Sequence, residues 1–376
     1  MPWKAMSAVE LREEFVMLAG GENGNVRELC RRYGISPTTG YKWLSRYAAA
    51  GRGGLADNSR RPHCSPGRTP STMEGQILAL RDRHPAWGAR KLQRRLCNLG
   101  TVAVPSISTI TEILRRHGRL EPTQASKHRA FLRFEQAASN DLWQMDFKGH
   151  FPVRSGRCHP LTVLDDHSRF ALGLEACAYE RAVTVQSRLV SIFRRYGLPW
   201  RMLMDNGPPW GDDAQTSYTS FTVWLLRLDI AVSHGRPYHP QTQGKAERFH
   251  RSLVAEVIAG LPLSDITQCQ RRFDAWRHVY NCERPHEGIG LDVPMARYDP
   301  SPRPFPEALP PIEYDTADII RRVDPNGRLS FKKRLFRVGK AFRGQQVAIR
   351  PTPRDGCFDV CFGRHPIAAI DLADAT

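Results

Sequence analysis

Two proline-rich stretches divide the chain and most constrain the folds open to it. Residues 50–71 combine glycine, proline and arginine, and residues 300–311 contain six prolines in twelve residues. Proline lacks a backbone N–H and fixes its φ angle, so such stretches hold neither a helix nor a central strand and act as stiff spacers. A chain of 376 residues with these interruptions predicts several domains.

The net charge of +17 is distributed unevenly along the chain. Residues 1–130 hold 22 basic and 10 acidic side chains (+12), residues 131–310 hold 21 and 20 (+1), and residues 311–376 hold 12 and 8 (+4). Basic ends around a near-neutral middle favour polyanionic partners, above all nucleic acid. An arginine-rich composition without a binding role is the alternative.

Other classes of protein are disfavoured. Charges interrupt every apolar stretch before it reaches membrane-spanning length, and the first residues lack the apolar core of a signal peptide. The nine cysteines are scattered without a Cys-x2-Cys pair, which argues against a structural zinc site or a disulfide framework. Cys357 and Cys361 are expected to pack in a strand. We therefore expect no membrane partner and a reducing cytoplasm.

Residues 1–50 carry the pattern of a helix-turn-helix DNA-binding unit. An apolar stripe at helical spacing ends at Gly34, and Ser36 and Pro37 then supply an N-cap and a first-turn proline. The following helix turns Trp43 inward. Its N-terminal end exposes the residues predicted to contact DNA in the major groove, which are Thr38, Thr39, Tyr41 and Lys42. A plain helical hairpin is the alternative.

After a linker at 51–71, residues 72–120 predict a second unit of the helix-turn-helix kind. Three apolar helices are expected. The second ends at Gly100, and residues 106–109 open the third, in which Thr109 and Glu112 have the spacing of a capping box. Basic side chains are expected to cover the outside of this unit and to make DNA recognition bipartite: Arg90, Lys91, Arg94, Arg95, Arg115 and Arg116. A solvated basic face is the alternative.

From residue 140 the hydrophobic period changes from helical to alternating. Residues 142–148 place Trp143 and Met145 on one face and Asp146 on the other, which predicts a strand with a carboxylate at its middle. Four more strands are expected at 161–164, 170–174, 200–205 and 230–232. With the intervening helices, and a later one that bears Glu247, this order predicts an α/β core with a mixed five-stranded sheet over residues 135–300.

Three motifs carry a family resemblance: WQMDFKG, LMDNG and HPQTQGKAERFH. Their Asp on the first strand, Asp at the end of the fourth and Glu on a later helix resemble the ribonuclease-H-like catalytic core of DDE transposases and retroviral integrases. With its helix-turn-helix front end, nearly the whole chain resembles transposases of bacterial insertion sequences. The zinc-binding front end of retroviral integrases does not occur in the sequence.

The resemblance implies that Asp146, Asp205 and Glu247 are both the catalytic and the metal-binding residues. Two Mg²⁺ or Mn²⁺ ions about 3.5–4 Å apart would activate the attacking oxygen and stabilise the leaving oxygen. Asp146 would bridge both ions, Asp205 would hold one and Glu247 the other. Here 41 residues separate Asp205 from Glu247, more than is usual in the family, and the polar stretch 211–220 is expected to hold the excess. A salt bridge or a helix cap is the alternative for each acid.

Other side chains near the triad are assigned lesser roles. Lys245 and Arg248 are predicted to bind the DNA backbone beside Glu247. The resemblance makes Asn206, His239 and Gln243 site-lining candidates, with a loop hydrogen bond as the alternative for each. Four competing acids are expected in turns or on the surface: Asp165, Asp166, Asp212 and Asp213.

Residues 312–376 predict a small β module. Short alternating segments separated by Gly and Asn turns suggest a small barrel similar to the SH3-like end module of integrases. Its basic residues would face DNA: Lys332, Lys333, Arg334, Arg337, Lys340 and Arg343. A plain structural cap is the alternative.

Together these features imply a transposase that binds the terminal inverted repeats of a mobile element through residues 1–118, cleaves DNA and joins the ends to target DNA. The expected partners are double-stranded DNA and further copies of the chain, because two element ends must meet. The expected location is the bacterial cytoplasm, on the nucleoid. A catalytically inactive repressor is the alternative, and a ribonuclease H would leave both helix-turn-helix units without a role.

Overall fold

The computed structural model describes residues 6–21, 24–59, 67–120, 135–205, 207, 210, 218–234, 244–259 and 263–373. The chain divides into two compact units, Met1–Arg68 and Thr69–Thr376. Within the described ranges, no helix combines the length and the apolar character needed to cross a membrane.

The first unit contains three helices: α1 (Ala8–Ala19), α2 (Val26–Arg32) and α3 (Pro37–Ala50). The predicted turn is confirmed, because Gly34 has a φ of +64° and the Ser36 hydroxyl accepts a hydrogen bond from the backbone N–H of Thr39. Gly40 allows α3 to approach α2 closely, since a Cβ there would lie 2.5 Å from Cys30 Sγ.

The start of the predicted linker at 51–71 belongs to the first unit. A 3₁₀ turn at Gly51–Leu55 follows α3 directly, and the Leu55 side chain is fully buried in the apolar cluster of this unit. The next helix begins at Ser71.

The second unit opens with three more helices: α4 (Ser71–Arg83), α5 (Ala89–Asn98) and α6 (Ile107–Arg116). Their apolar cluster includes Trp87 and Leu92, both fully buried. Helix α6 begins before the predicted capping box, because the Ser106 hydroxyl accepts from the backbone N–H of Thr109 and takes the N-cap position. The predicted opening of this helix at 106–109 therefore agrees with the structure, whereas the predicted capping role of Thr109 was wrong.

The prediction that basic side chains of α5 cover the outside agrees with the structure for the exposed Arg90 and was wrong for Arg94 and Arg95. Arg94 and Arg95 form ion pairs with acids of the core, and their side chains are half-buried or more. Helical periodicity had placed these residues opposite the apolar stripe of α5, and the core covers that opposite face.

The core sheet contains six strands: β1 (Trp143–Phe147), β2 (Phe151–Val153), β3 (Gly156–Asp165), β4 (Ala171–Cys177), β5 (Arg201–Met204) and β6 (Ala231–His234). Strand β3 pairs antiparallel with β1, β2 and β4, whereas β1–β5 and β5–β6 are parallel, so the predicted mixed sheet is confirmed. The short β2 was not predicted. It pairs with the beginning of β3, beyond the residues that pair with β1, and forms the sixth strand.

Helices cover both faces of this sheet. On one face α7 (Ala182–Tyr196) and α8 (Ser220–Arg227) bury a cluster around Trp143 and Phe193. On the other, α9 (Gly244–Leu253), a π-helical turn at Val254–Ile258 and α10 (Ile266–Cys282) bury a cluster around Phe249 and Phe273. The core is therefore a three-layer α/β structure with α9 against β1.

The C-terminal module is rich in β structure. A four-stranded antiparallel sheet has the order β12 (His365–Asp371), β11 (Cys357–Phe362), β10 (Gln346–Pro351) and β7 (Ile319–Arg322). A separate hairpin contains β8 (Arg328–Phe331) and β9 (Arg334–Arg337). These described strands do not close into a barrel, so the predicted SH3-like barrel is not confirmed. Apolar residues of the module pack with Val223 and Leu226 of α8.

The proline-rich segment 300–311 lies along the core. Arg303 donates hydrogen bonds to the carbonyl oxygens of Pro199 (2.6 Å) and Leu228 (3.0 Å), and Phe305 packs against the apolar cluster under α7. This segment is therefore attached along part of its length.

Candidate active site

Asp146 and Asp205 lie side by side at one edge of the core sheet. Strands β1 and β5 are parallel, and their register pairs Trp143 with Met202 and Gln144 with Leu203. Continuing this register by two residues brings Asp205, which directly follows β5, beside Asp146. In α/β sheets ligands bind outside the carboxyl ends of such strands. The fold thus brings together two acids that are far apart in the sequence.

An open cavity of about 160 Å³ lies beside the two aspartates. Its described lining consists of Asp146, Phe147, Gly149, Glu180, Asp205, Gly207 and Trp210. The rings of Phe147 and Trp210 stack with their centroids 5.5 Å apart and form an apolar wall. The described lining contains three carboxylates and no basic side chain, so the cavity favours a cation.

The pKa of Asp146 is raised to about 7. Burial is the main cause, because loss of hydration disfavours the charged carboxylate. The negative charge of Asp205 is the next cause, Glu180 and Glu247 add smaller repulsions, and the backbone N–H of Phe147 acts in the opposite direction. A divalent cation would relieve this repulsion and favour the ionised carboxylate. The acids present therefore fit a hard divalent metal ion.

Glu247 does not line this cavity. It lies in the first turn of α9, is exposed, and contributes to the pKa of Asp146 only through its charge. Across the residues that the structure describes, no three His, Cys, Asp or Glu side chains converge as a metal site would require. The structure therefore joins Asp146 with Asp205, and the three-carboxylate site stays a prediction.

His250 attaches α9 to the sheet beside Asp146. Thr162 Oγ1 donates to the carbonyl oxygen of Asp146 (2.9 Å), and His250 Nε2 lies 2.9 Å from the same hydroxyl oxygen. Because the Thr162 hydroxyl proton is directed to Asp146, His250 Nε2 must donate a hydrogen bond to the hydroxyl oxygen. The other ring nitrogen, Nδ1, then carries no proton and lies 4.0 Å from Asp146 Oδ2. Burial and the charge of Lys148 lower the pKa of His250 to about 4. The helix is thus anchored by an uncharged side chain.

Sequence reasoning missed both His250 and Glu180. His250 follows Glu247 by three positions, which places both on one face of a helix, and that spacing was a usable signal. Glu180 follows β4, which runs parallel to β1 because both are antiparallel to β3, so it lies at the same edge as the aspartates. Its carboxylate Oε1 is 2.8 Å from His159 Nδ1. Strand direction was the signal for Glu180.

The predicted DNA-contacting residues of the first unit lie on the first turns of α3. Thr38, Tyr41 and Lys42 are exposed, and Thr39 is half-buried with its hydroxyl 2.9 Å from that of Ser36. This face is open to a ligand, and its contact with DNA stays a prediction.

The residues predicted near Glu247 have different surroundings. Arg248 is exposed on α9. In contrast, Lys245 Nζ lies 2.5 Å from Asp166 Oδ1 in an ion pair whose carboxylate is almost fully buried. Asn206, His239 and Gln243 lie outside the described residues, as do the competing acids Asp212 and Asp213.

Asp166 begins the expected turn and Asp165 ends strand β3 directly before it, and both are buried and not on the surface. Asp165 accepts hydrogen bonds from the backbone N–H groups of Asn140 and Ser168 and from the Ser168 hydroxyl. Asp166 accepts from the side chain of Gln144 in addition to Lys245. Both acids are therefore structural.

Family models match five stretches of the chain. They are a helix-turn-helix domain at 11–63, a homeodomain-like domain at 39–114, integrase core domains at 136–240 and 228–294, and the IS481 family transposase C-terminal domain at 318–376.

Individual relatives match at low identity. The Pro-Pol polyprotein of Feline foamy virus is 26% identical over 42% of this chain and 14% of its own length. The insertion element IS476 uncharacterized 39.2 kDa protein of Xanthomonas euvesicatoria is 25% identical over 68% of this chain and 72% of its own. A chain of the simian T-cell lymphotropic virus intasome, solved with PP2A regulatory subunit B56 gamma, has 18% identity and a TM-score of 0.37, over 78% of this chain and 98% of its own.

The family matches follow the order of the described domains. Helix-turn-helix models cover the helical front, integrase core models cover the mixed sheet, and the transposase model covers the β module. The chain thus carries helix-turn-helix domains, a ribonuclease-H-like integrase core and the C-terminal domain of IS481 family transposases, which confirms its resemblance to the transposases of bacterial insertion sequences.

Proposed function

We propose that this chain binds the terminal inverted repeats of a mobile element and catalyses metal-dependent DNA cleavage and strand transfer. Residues 1–50 and 72–120 would hold the element ends, 135–300 would carry the chemistry, and 312–376 would contact DNA. Partners would be end and target duplexes and further copies of the chain, in the bacterial cytoplasm on the nucleoid. The adjacency of Asp146 and Asp205 at an open sheet edge supports this proposal most directly.

Asp146, Asp205 and Glu247 would hold two Mg²⁺ or Mn²⁺ ions. When bound, such ions polarise the scissile phosphate and activate the attacking oxygen. Asp146 must lose its proton to bind a cation, so its raised pKa makes binding pH-dependent near neutrality. The neutral His250 anchors α9 without adding a positive charge that would compete with a metal.

The contacts with DNA would come from exposed cations and polar groups. Thr38, Thr39, Tyr41 and Lys42 would contact the element end from α3, and Arg248 would contact the backbone beside the carboxylates. Lys245 would have to exchange its ion pair with Asp166 for a phosphate. By resemblance Asn206, His239 and Gln243 would line the site.

The alternative is a sequence-specific repressor with an inactive core. One observation favours it: the described acids do not converge as a three-ligand metal site. The two functions differ in one measurable property, because only a transposase nicks an end duplex when Mg²⁺ is added.

The test compares Asp146→Ala with the wild-type chain on duplexes made from the DNA that flanks the reading frame. Nicking and joining should fall by at least about 10³-fold, the loss seen when a charge-stabilising group is removed from an active site. Binding of the same duplex should persist. Asp274→Asn is the matched control, since this acid is exposed on α10. Full nicking by Asp146→Ala would refute the catalytic assignment.

A further inference from the structure

The basic face of α5 is turned toward the catalytic core. Arg94 Nη2 lies 2.6 Å from Asp292 Oδ1, and Arg95 Nη2 lies 2.5 Å from Glu283 Oε2. One turn earlier, Arg90 Nη1 lies 3.9 Å from the nearest carboxylate oxygen of Glu287. The cations of one helix face thus meet acids that all follow α10.

The contact between α5 and the core is partly desolvated. The side chain of Arg95 is 17% exposed to solvent and that of Glu283 is 27% exposed. Burial, followed by the charge of Arg284, lowers the pKa of Lys91 to about 8. Val279 of α10 packs against the apolar cluster of α4–α6. Exposed ion pairs contribute little, but removing one partner of a partly desolvated pair leaves a charge without its counterion and destabilises the contact.

The same segment of the core holds the helix that bears Glu247. Arg284, next to Glu283, donates from Nε to Glu256 (3.1 Å) and from Nη2 to the Ser252 hydroxyl (2.9 Å). Ser252 lies on α9 and Glu256 in the π-helical turn that continues it. Glu283, which pairs with α5, is therefore the direct neighbour in sequence of Arg284, which holds the helix that bears Glu247.

Helix α6 presents a different surface. Ile107 and Ser108 in its first turn and Arg115 near its end are exposed, and Arg115 forms an exposed ion pair with Glu112 of the same helix that a phosphate would replace. An exposed helix N-terminus with small polar residues and a downstream cation suits a contact with the DNA major groove. The helical unit thus has one face against the core and another face open.

We propose that α5 is a docking helix, which holds the helical unit on the core through its ion pairs with Glu283 and Asp292. DNA bound by α6 is thereby fixed in position relative to the catalytic carboxylates. The proposal rests on the proposed function, because it gives the helical unit a task in end binding. In this proposal Arg94 and Arg95 are positioning residues that bind the core, and Arg115 binds DNA.

Salt dependence of DNA binding distinguishes a docked arginine from one that neutralises a phosphate. Each phosphate contact contributes about 0.9 to the slope of log K against log salt concentration. We would measure fluorescence anisotropy of a mixed-sequence duplex with the full chain. The Arg94→Ala/Arg95→Ala variant should keep the wild-type slope, and the matched variant Arg115→Ala should lose about 0.9. A slope lowered by about 1.8 in the double variant, or unchanged in Arg115→Ala, would overturn the proposal.

A charge exchange tests the docking contact without DNA. Arg95→Glu and Glu283→Arg should each lower the melting temperature by a few degrees, because each leaves like charges facing each other. The combined variant should recover most of the loss. Additive losses with no recovery would contradict docking through this pair.

Mapping of the nicked position completes the test. On a flanking-sequence duplex, Arg94→Ala/Arg95→Ala should spread nicking over several neighbouring positions, and the wild type should cut at one. A variant that cuts at the wild-type position would overturn the positioning role. A wild-type chain that nicks nothing would instead contradict the proposed function, while the melting and salt measurements would still decide the docking proposal.

Discussion

The two ends of strand β1 carry two pairs of acids with opposite surroundings. At the amino end, Asp165 pairs with Trp143 across the sheet, and Asp165 and Asp166 are buried among donors. At the carboxyl end, Asp146 and Asp205 line an open cavity and Asp146 faces mainly negative charge. Four acids of one residue type thus have two opposite surroundings within a few residues of one strand.

The presence of hydrogen-bond donors distinguishes Asp165 from Asp146 better than burial does. Burial raises the pKa of Asp165 as it raises that of Asp146, but backbone and hydroxyl donors from Ser168 and Asn140 oppose the rise for Asp165. A buried acid supplied with donors stabilises the fold, and one left among other acids keeps its capacity for a cation.

The largest expected difference in stability comes from Asp166→Ala. This change leaves the half-buried Lys245 ammonium without its carboxylate and removes the acceptor for Gln144, so unfolding free energy should fall by about 3–5 kcal/mol. Asp205→Ala, at the other end, should cost less than about 1 kcal/mol. Urea denaturation at neutral pH measures both changes in unfolding free energy. Equal losses would contradict the difference between the two pairs of acids.

Asp146→Asn should stabilise the metal-free protein at pH 8. The folded-state pKa of Asp146 is about 7, whereas the ordinary value for an aspartate is 3.8, so the folded state binds the proton more tightly. The contribution of Asp146 to the stability of the wild type is therefore fully present below about pH 4 and is lost as pH rises to about 7. Denaturation should show a gain of about 1–2 kcal/mol for the variant at pH 8, after allowance for solvent screening, and none at pH 4. A gain at pH 4 alone would contradict the assigned charge state.

Asp205→Asn should lower the pKa of Asp146. The Asp205 charge is the largest repulsion acting on that carboxyl, and removing a close like charge changes a pKa by on the order of one unit. A carbonyl-carbon NMR titration of the metal-free protein measures the midpoint directly. An unchanged midpoint would mean that the two aspartates do not sense each other.

Glu180→Gln should lower the same midpoint by a smaller amount, because its charge contributes less than that of Asp205. The same NMR titration applies, with Glu307→Gln as the control, since Glu307 is exposed and bound to Arg194. A midpoint shift larger than that of Asp205→Asn would reverse the order of the two repulsions.

Local rules made part of this structure predictable. Gly34, Ser36 and Pro37 fix a helix end and a helix start from neighbouring residues alone, and both were predicted correctly. Alternation along β1 placed Asp146 on one face of a strand in the same way. The family pattern then joined Asp146 to Asp205, which alternation could not do.

Contacts between distant residues were not predictable. The periodicity of α5 showed that Arg94 and Arg95 share a face, but not that acids nearly 200 positions later cover it. One donor to Asp165, the backbone N–H of Asn140, likewise lies 25 positions away in the sequence. Strand β7 escaped notice because two of its four residues are arginines, which blur the alternation.

The parallel pairing of β1 with β5 has a consequence for the two aspartates. Backbone hydrogen bonds keep neighbouring strands about 4.8 Å apart whatever side chains they carry. The separation of the two backbone positions is thus inherited from the polypeptide ladder, and side-chain rotation sets the distance between the carboxylates around it. Mutations elsewhere in the core can alter loops and helices while leaving that backbone separation unchanged.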